Sequence, residues 1–331
     1  MPAVAYIYVL CDILIMPNNL ADLIFTDEQK KTLLANIQFV RQLSQQKITD
    51  QLENWIINNF ESVIGYFPHI GYSTTFSEPF ERIVINKYVN EGKNNARLTN
   101  YSQIKYPPLS KEKQLNYNRA SMKGQSVFYA GFGMLATTLE TQPELGDVIT
   151  TSKWRQKGNT SLFHFPIFYK KDSCIRAEYE SDWEYFNEIL KSLHPSVSGV
   201  TEELLHFMAE LFTKNIDKSD KREYLFSALF SRYYLTNSKS NVQCLYYPSV
   251  PSDFVSSNLA CLPATLDKYF DCIEVKEDVI IKAPDIFSKG WLSRQIAKAN
   301  PVSPMAEGSI CWENVIDEAE LTDLRIRFNI G

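Results

Sequence analysis

The apolar residues of "TDEQKKTLLANIQFVRQLSQQ" recur at Leu33, Leu34, Ile37 and Val40. That spacing keeps them on one face of a helix, and Thr26 and Asp27 stand where an N-cap belongs. A second helical stretch, "ITDQLENWIINNFESVI", follows directly. "YFPHIGYSTTFSEP" then interrupts the pattern with prolines and a glycine, which predicts a boundary. Beyond it the period shortens. "FERIVINKYV" (80–89), "SVFYA", "DVITTSKW", "TSLFHFPIFY", "VQCLYYP", "SNLACLP" and "FDCIEVKEDVIIKA" read as strands.

Helical patterns lie between these strands. "MLATTLET" reads as a short helix entered through a turn at Gly131 and Gly133. "DWEYFNEILKSL" is helical, and "TEELLHFMAELFTKNI" carries Leu204, Met208, Leu211 and Phe212 on one face. "DKREYLFSALFSRYYL" opens with Asp220 and Glu223 in capping-box spacing. Residues 90–118 are polar, contain Pro107 and Pro108, and predict a long loop of the kind that is usually functional or disordered. The expected fold class is therefore α+β. A helical N-terminal region (1–77) precedes a strand-rich domain (78–282), and a tail (283–331) packs on its core.

Composition narrows the function classes. Across 331 residues the apolar and charged fractions are those of an ordinary globular chain, long enough to bury a sizeable core. The net charge of −5 argues against nucleic acid as the main partner. The basic, tyrosine-rich "YSQIKYPPLSKEKQLNYNR" is too short to reverse that. None of the six cysteines forms a C-x-x-C pair, and several sit in apolar runs. They read as buried free thiols in a reducing, cytoplasmic setting without structural zinc. The apolar N-terminus lacks a basic n-region, is broken by Asp12 and stops at Pro17, so neither a signal peptide nor a membrane span is expected.

The histidines do not form a catalytic set. His69 and His194 neighbour prolines, and His164 lies inside an apolar strand. His206 shares a helix face with Glu202 and Glu210, which reads as a solvated face rather than a metal site. Ser-His and Cys-His mechanisms lose their support. One stretch remains, "NRASMKGQSVFYAGFGMLATTLET", with Arg119 before the predicted strand, Tyr129 at its end and Glu140 in the returning helix. Each residue alone is ordinary. A strand, turn and helix can bring all three to one cleft. The glycines could admit a phosphate to a helix N-terminus, but a third glycine is replaced by Ala136 and a plain tight turn is the simpler reading. Ser249, after Pro248 at the end of a predicted strand, is either a turn serine or a hydroxyl that orients a ligand.

This stretch, followed about a hundred residues later by "YLFSALFSRYYLTNSKSNVQCLYYPSVPSDFVSSNLACLP", resembles the RES-domain family, named for its arginine, glutamate and serine. The matching positions are Arg119 with Gly124, "SVFY" ending at Tyr129, and "TTLE" ending at Glu140. Later come Tyr247, Pro248 and Ser249, then Asn258 and Leu259. The early arginine of that family matches Arg82 in "FERIVI". The resemblance covers about 78–282. This chain departs from it in "NRAS", where many members have an arginine followed by Phe-Asn or Ala-Asn, and in a long helical insertion between the two blocks.

The resemblance implies an ADP-ribosyltransferase-like fold and an enzyme that degrades NAD by hydrolysis or phosphorolysis. NAD would be the substrate, with no metal or further cofactor. It also implies a toxin or anti-phage setting, with a helix-turn-helix partner of the Xre class, and leaves a homo-oligomer open. Loss of nicotinamide builds positive charge at the ribose C1′, which a carboxylate can stabilise, and Glu140 suits that role. Arg119 would pair with the diphosphate. Tyr129 would stack on the nicotinamide or close the pocket, and Ser249 would hold the ribose or the carboxylate. Arg82, Gly131 and Asn258 would contact NAD. The rival expectations are ADP-ribosylation of a macromolecule and a catalytically inactive binding module.

Overall fold

The computed structural model describes residues 23–64, 72–90, 95–108, 115–167, 184, 187–216, 220–237, 241–252, 256–284, 290–299, 308–328 and 330. The apolar N-terminus, His69, Cys11, Cys174 and most of the acidic run at 178–188 lie outside them. The chain divides into two compact units, with the breaks after residues 69, 176 and 207.

The first unit is helical. Helix α1 (Asp27–Ser44) starts at Thr26, whose side chain accepts from the Gln29 amide while the Gln29 side chain accepts from the Thr26 amide. This reciprocal capping box satisfies two donors that the helix cannot. Leu33, Ile37 and Val40 form its buried stripe. Helix α2 (Asp50–Ile64) buries Ile56, Phe60 and Val63. Arg41 Nη1 meets Glu203 Oε1 at 2.6 Å. The Phe25 amide donates to Ser196 Oγ at 3.0 Å.

The second unit is built on a mixed ten-stranded sheet. Its strands are β1 (Tyr72–Thr74), β2 (Phe80–Ile85), β3 (Phe128–Gly131), β4 (Val148–Gln156) and β5 (Leu162–Pro166). They continue with β6 (Cys244–Pro248), β7 (Ser257–Cys261), β8 (Phe270–Lys282), β9 (Leu292–Ala299) and β10 (Glu313–Asn314). The spatial order is β1-β5-β6-β7-β3-β2-β4-β8-β9-β10. Among the described strands only β5 and β6 run parallel. The described helices that accompany the sheet are α3 (Asn86–Val89), α4 (Met134–Thr141), α5 (Pro195–Thr213, from Met208 onward), α6 (Leu225–Thr236), α7 (Pro263–Tyr269) and α8 (Glu318–Phe328).

One junction in the sheet matters for function. β2 pairs with β4 along its whole length, and β3 pairs with β7 along its whole length. Between β2 and β3 only Glu81 and Gly131 are opposite one another. The sheet is therefore two half-sheets joined at one point, and a cleft opens where the ladder stops. Phe80, Phe128, Trp154 and Phe270 pack beneath the junction with ring centroids 5.0–6.0 Å apart. Their edge-to-face contacts stiffen it.

Several expectations are corrected. The strand expected over 80–89 ends at Ile85, and Asn86–Val89 is helical. Asn86 is buried; its Nδ2 reaches Glu277 and the Ala96 carbonyl, and its Oδ1 accepts from Thr150. Those bonds turn the chain out of the ladder. "YFPHIGYSTT" contributes β1, which its prolines had hidden. The tail does more than pack on the core. β9 and β10 extend the sheet, and α8 buries Leu321 and Leu324 against Val148, Val279 and Ile296. The loop expected at 90–118 holds a capped 3-10 turn at Tyr101–Gln103. Cys244, Cys261 and Cys272 are buried free thiols, whereas Cys311 is a free thiol on the surface. No helix among the described residues is long and apolar enough to cross a membrane.

Candidate functional site

Where β2 and β3 part, a cavity of about 390 Å³ opens, lined among others by Arg82, Arg119, Tyr129, Glu140, Tyr224 and Asn258. Its size falls in the range of small-molecule sites. Four of the residues singled out in the sequence for chemistry therefore share one wall system with Asn258, across strands β2, β3, β7 and helix α4.

Glu140 lies in the last turn of α4. The helix begins at Gly133, whose φ of +94° a side chain would resist, and ends at Gln142 in the left-handed region. It lies close on β3. A Cβ on Gly131 would fall 2.9 Å from Thr137 Cγ2 and 3.4 Å from Asn258 Oδ1. Gly131 thus serves the approach of helix to strand, and no ligand contact is needed to explain it.

The carboxylate of Glu140 is held on one side. Its Oε1 accepts from Ser249 Oγ at 2.7 Å and from Asn258 Nδ2 at 2.8 Å. Oε2 accepts no hydrogen bond among the described residues. Asn258 sits on β7 opposite Gly131, and Tyr247 lies opposite Asn258 on β6. Ser249 follows the end of β6, fully buried, with its amide donating to the Ser256 carbonyl at 2.8 Å. That bond marks Ser249 as a ladder position, so the adjacent Pro248 faces away from β7 and its missing N–H interrupts nothing there. Ser249 and Asn258 therefore act on the carboxylate, and Ser249 is not itself on the cavity wall.

The two arginines differ. Arg119 Nη1 donates to the carbonyls of Leu211 (3.4 Å), Phe212 (2.6 Å) and Lys214 (3.2 Å), and Nη2 also donates to Lys214 (3.2 Å). It closes the C-terminal turn of α5, whose last carbonyls have no partner within the helix. Its guanidinium also lies 5.3 Å from the centre of the Tyr224 ring. Arg82 donates from Nη1 to the Tyr129 carbonyl at 3.0 Å, across the parted ladder, and lies 5.6 Å from the Phe128 ring centre. Among the described residues its Nε is buried without a hydrogen-bond partner. Burial pushes Arg82 down to about 10, with the nearby Tyr129 acting in the opposite direction, so it is a cation at neutral pH. A buried guanidinium donor without an acceptor is costly.

Tyr129 is tied by its hydroxyl, which accepts the Ala120 amide at 3.1 Å. Desolvation raises its phenol well above the ordinary value, against the bonds to Ser121 and Ala120 and the charge of Arg119. It is a neutral phenol that fixes the turn carrying Arg119. Tyr247 is likewise buried and raised by desolvation.

Lys221 and Tyr224 complete the wall from the 3-10 turn before α6, and nothing in their local sequence marked them. The described lining thus carries Arg82, Arg119 and Lys221 against one carboxylate, Glu140. Such a site favours an anionic ligand. No group of histidine, cysteine or carboxylate side chains among the described residues could hold a metal ion. No protein-family model matches the chain, and no curated protein matches it.

Proposed function

We propose that this protein consumes NAD at the cavity between β2 and β3, cleaving the bond between nicotinamide and ribose. The observation that carries the reading is the Glu140 carboxylate, fixed at Oε1 by Ser249 and Asn258 and without a donor at Oε2 among the described residues. It lies in a pocket otherwise rich in cations.

In the reaction the electron pair of the C1′–N bond leaves with nicotinamide, which departs neutral and needs no general acid. Positive charge grows on the ribose C1′ and O4′. A carboxylate already oriented by two donors stabilises that charge without reorganising. Water or phosphate then attacks C1′. With water a proton is released to solvent. Arg82 is the cation assigned to the diphosphate, because its side chain lines the cavity while Arg119 is taken up by the carbonyls that end α5. Arg119 holds the wall formed by the end of α5 and Tyr224. Tyr129 places the 118–121 turn. The resemblance to RES domains, with their ADP-ribosyltransferase-like fold, supports the same reading, including a cytoplasmic enzyme restrained by a partner of the Xre class.

The test is incubation of purified protein with NAD, with and without phosphate, followed by mass spectrometry of the products. Free nicotinamide with ADP-ribose or its phosphate supports the reading. A stable adduct on a macromolecule identifies a transferase instead, and unchanged NAD identifies a binding module.

A further inference from the structure

The hydroxyl of Ser252 is buried and makes three hydrogen bonds. It donates to the Ser249 carbonyl at 2.9 Å, and it accepts from the Ser256 amide at 3.2 Å and from Ser256 Oγ at 2.8 Å. One donor and two acceptor sites are all that a serine hydroxyl has, and here all are used. Ser249 is bound at every polar atom in turn. Its amide reaches the Ser256 carbonyl, its carbonyl receives Ser252, and its Oγ reaches Glu140 Oε1.

A 3-10 turn at Val250–Ser252 lies against α4, the helix that bears Glu140. The geometry points to Ser252 as a positioning residue for the Glu140 carboxylate, acting through Ser249. This rests on the reading that Glu140 performs the cleavage. A serine side chain reaches a carboxylate in one direction only if its own backbone is held, and the end of a strand has no further ladder to hold it. Ser252 supplies the missing restraint on the carbonyl side. Without it the turn can rotate, and Ser249 Oγ loses its aim while its amide still bonds to Ser256. Ser252 does not line the cavity, so its loss should act on turnover rather than on substrate affinity.

The experiment is a double-mutant cycle on NAD cleavage with Ser252→Ala, Ser249→Ala and the pair. Ser252→Ala is expected to lower kcat by ~5- to 20-fold with KM changed less than about twofold, the size for a lost orienting hydrogen bond. Adding it to Ser249→Ala should cost less than about twofold more, because residues acting through one group are not additive. Multiplying effects, a loss confined to KM, or unchanged kcat would overturn the assignment. If Ser252→Ala does not fold, Ser252→Cys keeps the volume with a weaker donor and should show the same kcat loss; wild-type turnover overturns it. If the wild type leaves NAD intact, the functional reading fails by itself. The same cycle is then read on urea unfolding midpoints, where shifts smaller than their sum support the link from Ser252 to Ser249 and additive shifts overturn it.

Discussion

Ser249 Oγ donates to Glu140 Oε1 at 2.7 Å, joining residues 109 positions apart in the chain. The bond closes a triangle with Asn258, whose amide reaches the same oxygen at 2.8 Å. One oxygen takes both protein donors and the other takes none among the described residues, in a side chain that lines the cavity. That asymmetry is what an electrostatic stabiliser requires, and it leads directly to the behaviour expected of variants.

Glu140→Gln should retain the fold and lose at least ~100-fold in NAD cleavage, the scale of removing a preorganised charge from a transition state. Steady-state rates, with circular dichroism as the fold control, measure it. Near-normal turnover by the folded variant would remove Glu140 from the mechanism.

Ser249→Ala should lower kcat by ~10- to 100-fold, leaving Asn258 as the carboxylate's remaining donor. No histidine lies among the described residues lining the cavity, so no activated seryl nucleophile is expected. Mass spectrometry of enzyme trapped during turnover should find no adduct on Ser249. An ADP-ribosyl-serine there would give this residue a covalent role.

Arg82 and Arg119 should separate. Arg82→Lys replaces a guanidinium fork on the cavity wall by a single ammonium and should raise KM for NAD by roughly tenfold or more with a smaller change in thermal stability. Arg119→Lys should lose most of its bonds to the end of α5 and destabilise by about 1–3 kcal/mol. NAD use should fall with it as the Tyr224 wall loosens. Kinetics and urea titration on both variants measure the split. Equal stability with a large KM rise in Arg119→Lys would place the diphosphate on Arg119.

Gly131→Ala puts a methyl 2.9 Å from Thr137 Cγ2, on backbone that holds α4 to β3. The overpacking should cost about 1–3 kcal/mol. The same methyl lies 3.4 Å from Asn258 Oδ1, so the triangle around Glu140 should be disturbed and turnover should drop in the folded fraction. Unfolding midpoint and kcat together test this. A variant of wild-type stability and rate would mean that α4 moves aside freely.

Much of the site could be read along the chain because short-range rules act there. Thr26 marks a helix start by capping reach alone, and the apolar runs "VQCLYYP" and "SVFYA" mark buried strands. Arg119, Tyr129 and Glu140 stand around one strand, turn and helix, so their convergence on a cavity follows from local geometry. Where long-range bonds compete with local pattern, the pattern misleads. Asn86 leaves the strand because Thr150 and Glu277 bind its side chain from far away in the chain.

By itself the sequence determined strands β3 to β8 and nominated the residues that could carry a charge, a ring or a hydroxyl. Only the tertiary structure decided what those groups face. Arg119 and Arg82 are equivalent cations as letters. In the fold one lies on the carbonyls that end α5, and the other lies beneath a parted ladder with a buried donor unused. Lys221 and Tyr224 join the wall because α6 begins there, and Ser252 reaches Ser249 because a strand ends there. The reason is the range of the interactions. Periodicity and capping act over one or two turns of chain, whereas the acceptor that a guanidinium finds depends on strands brought together from distant parts of the sequence.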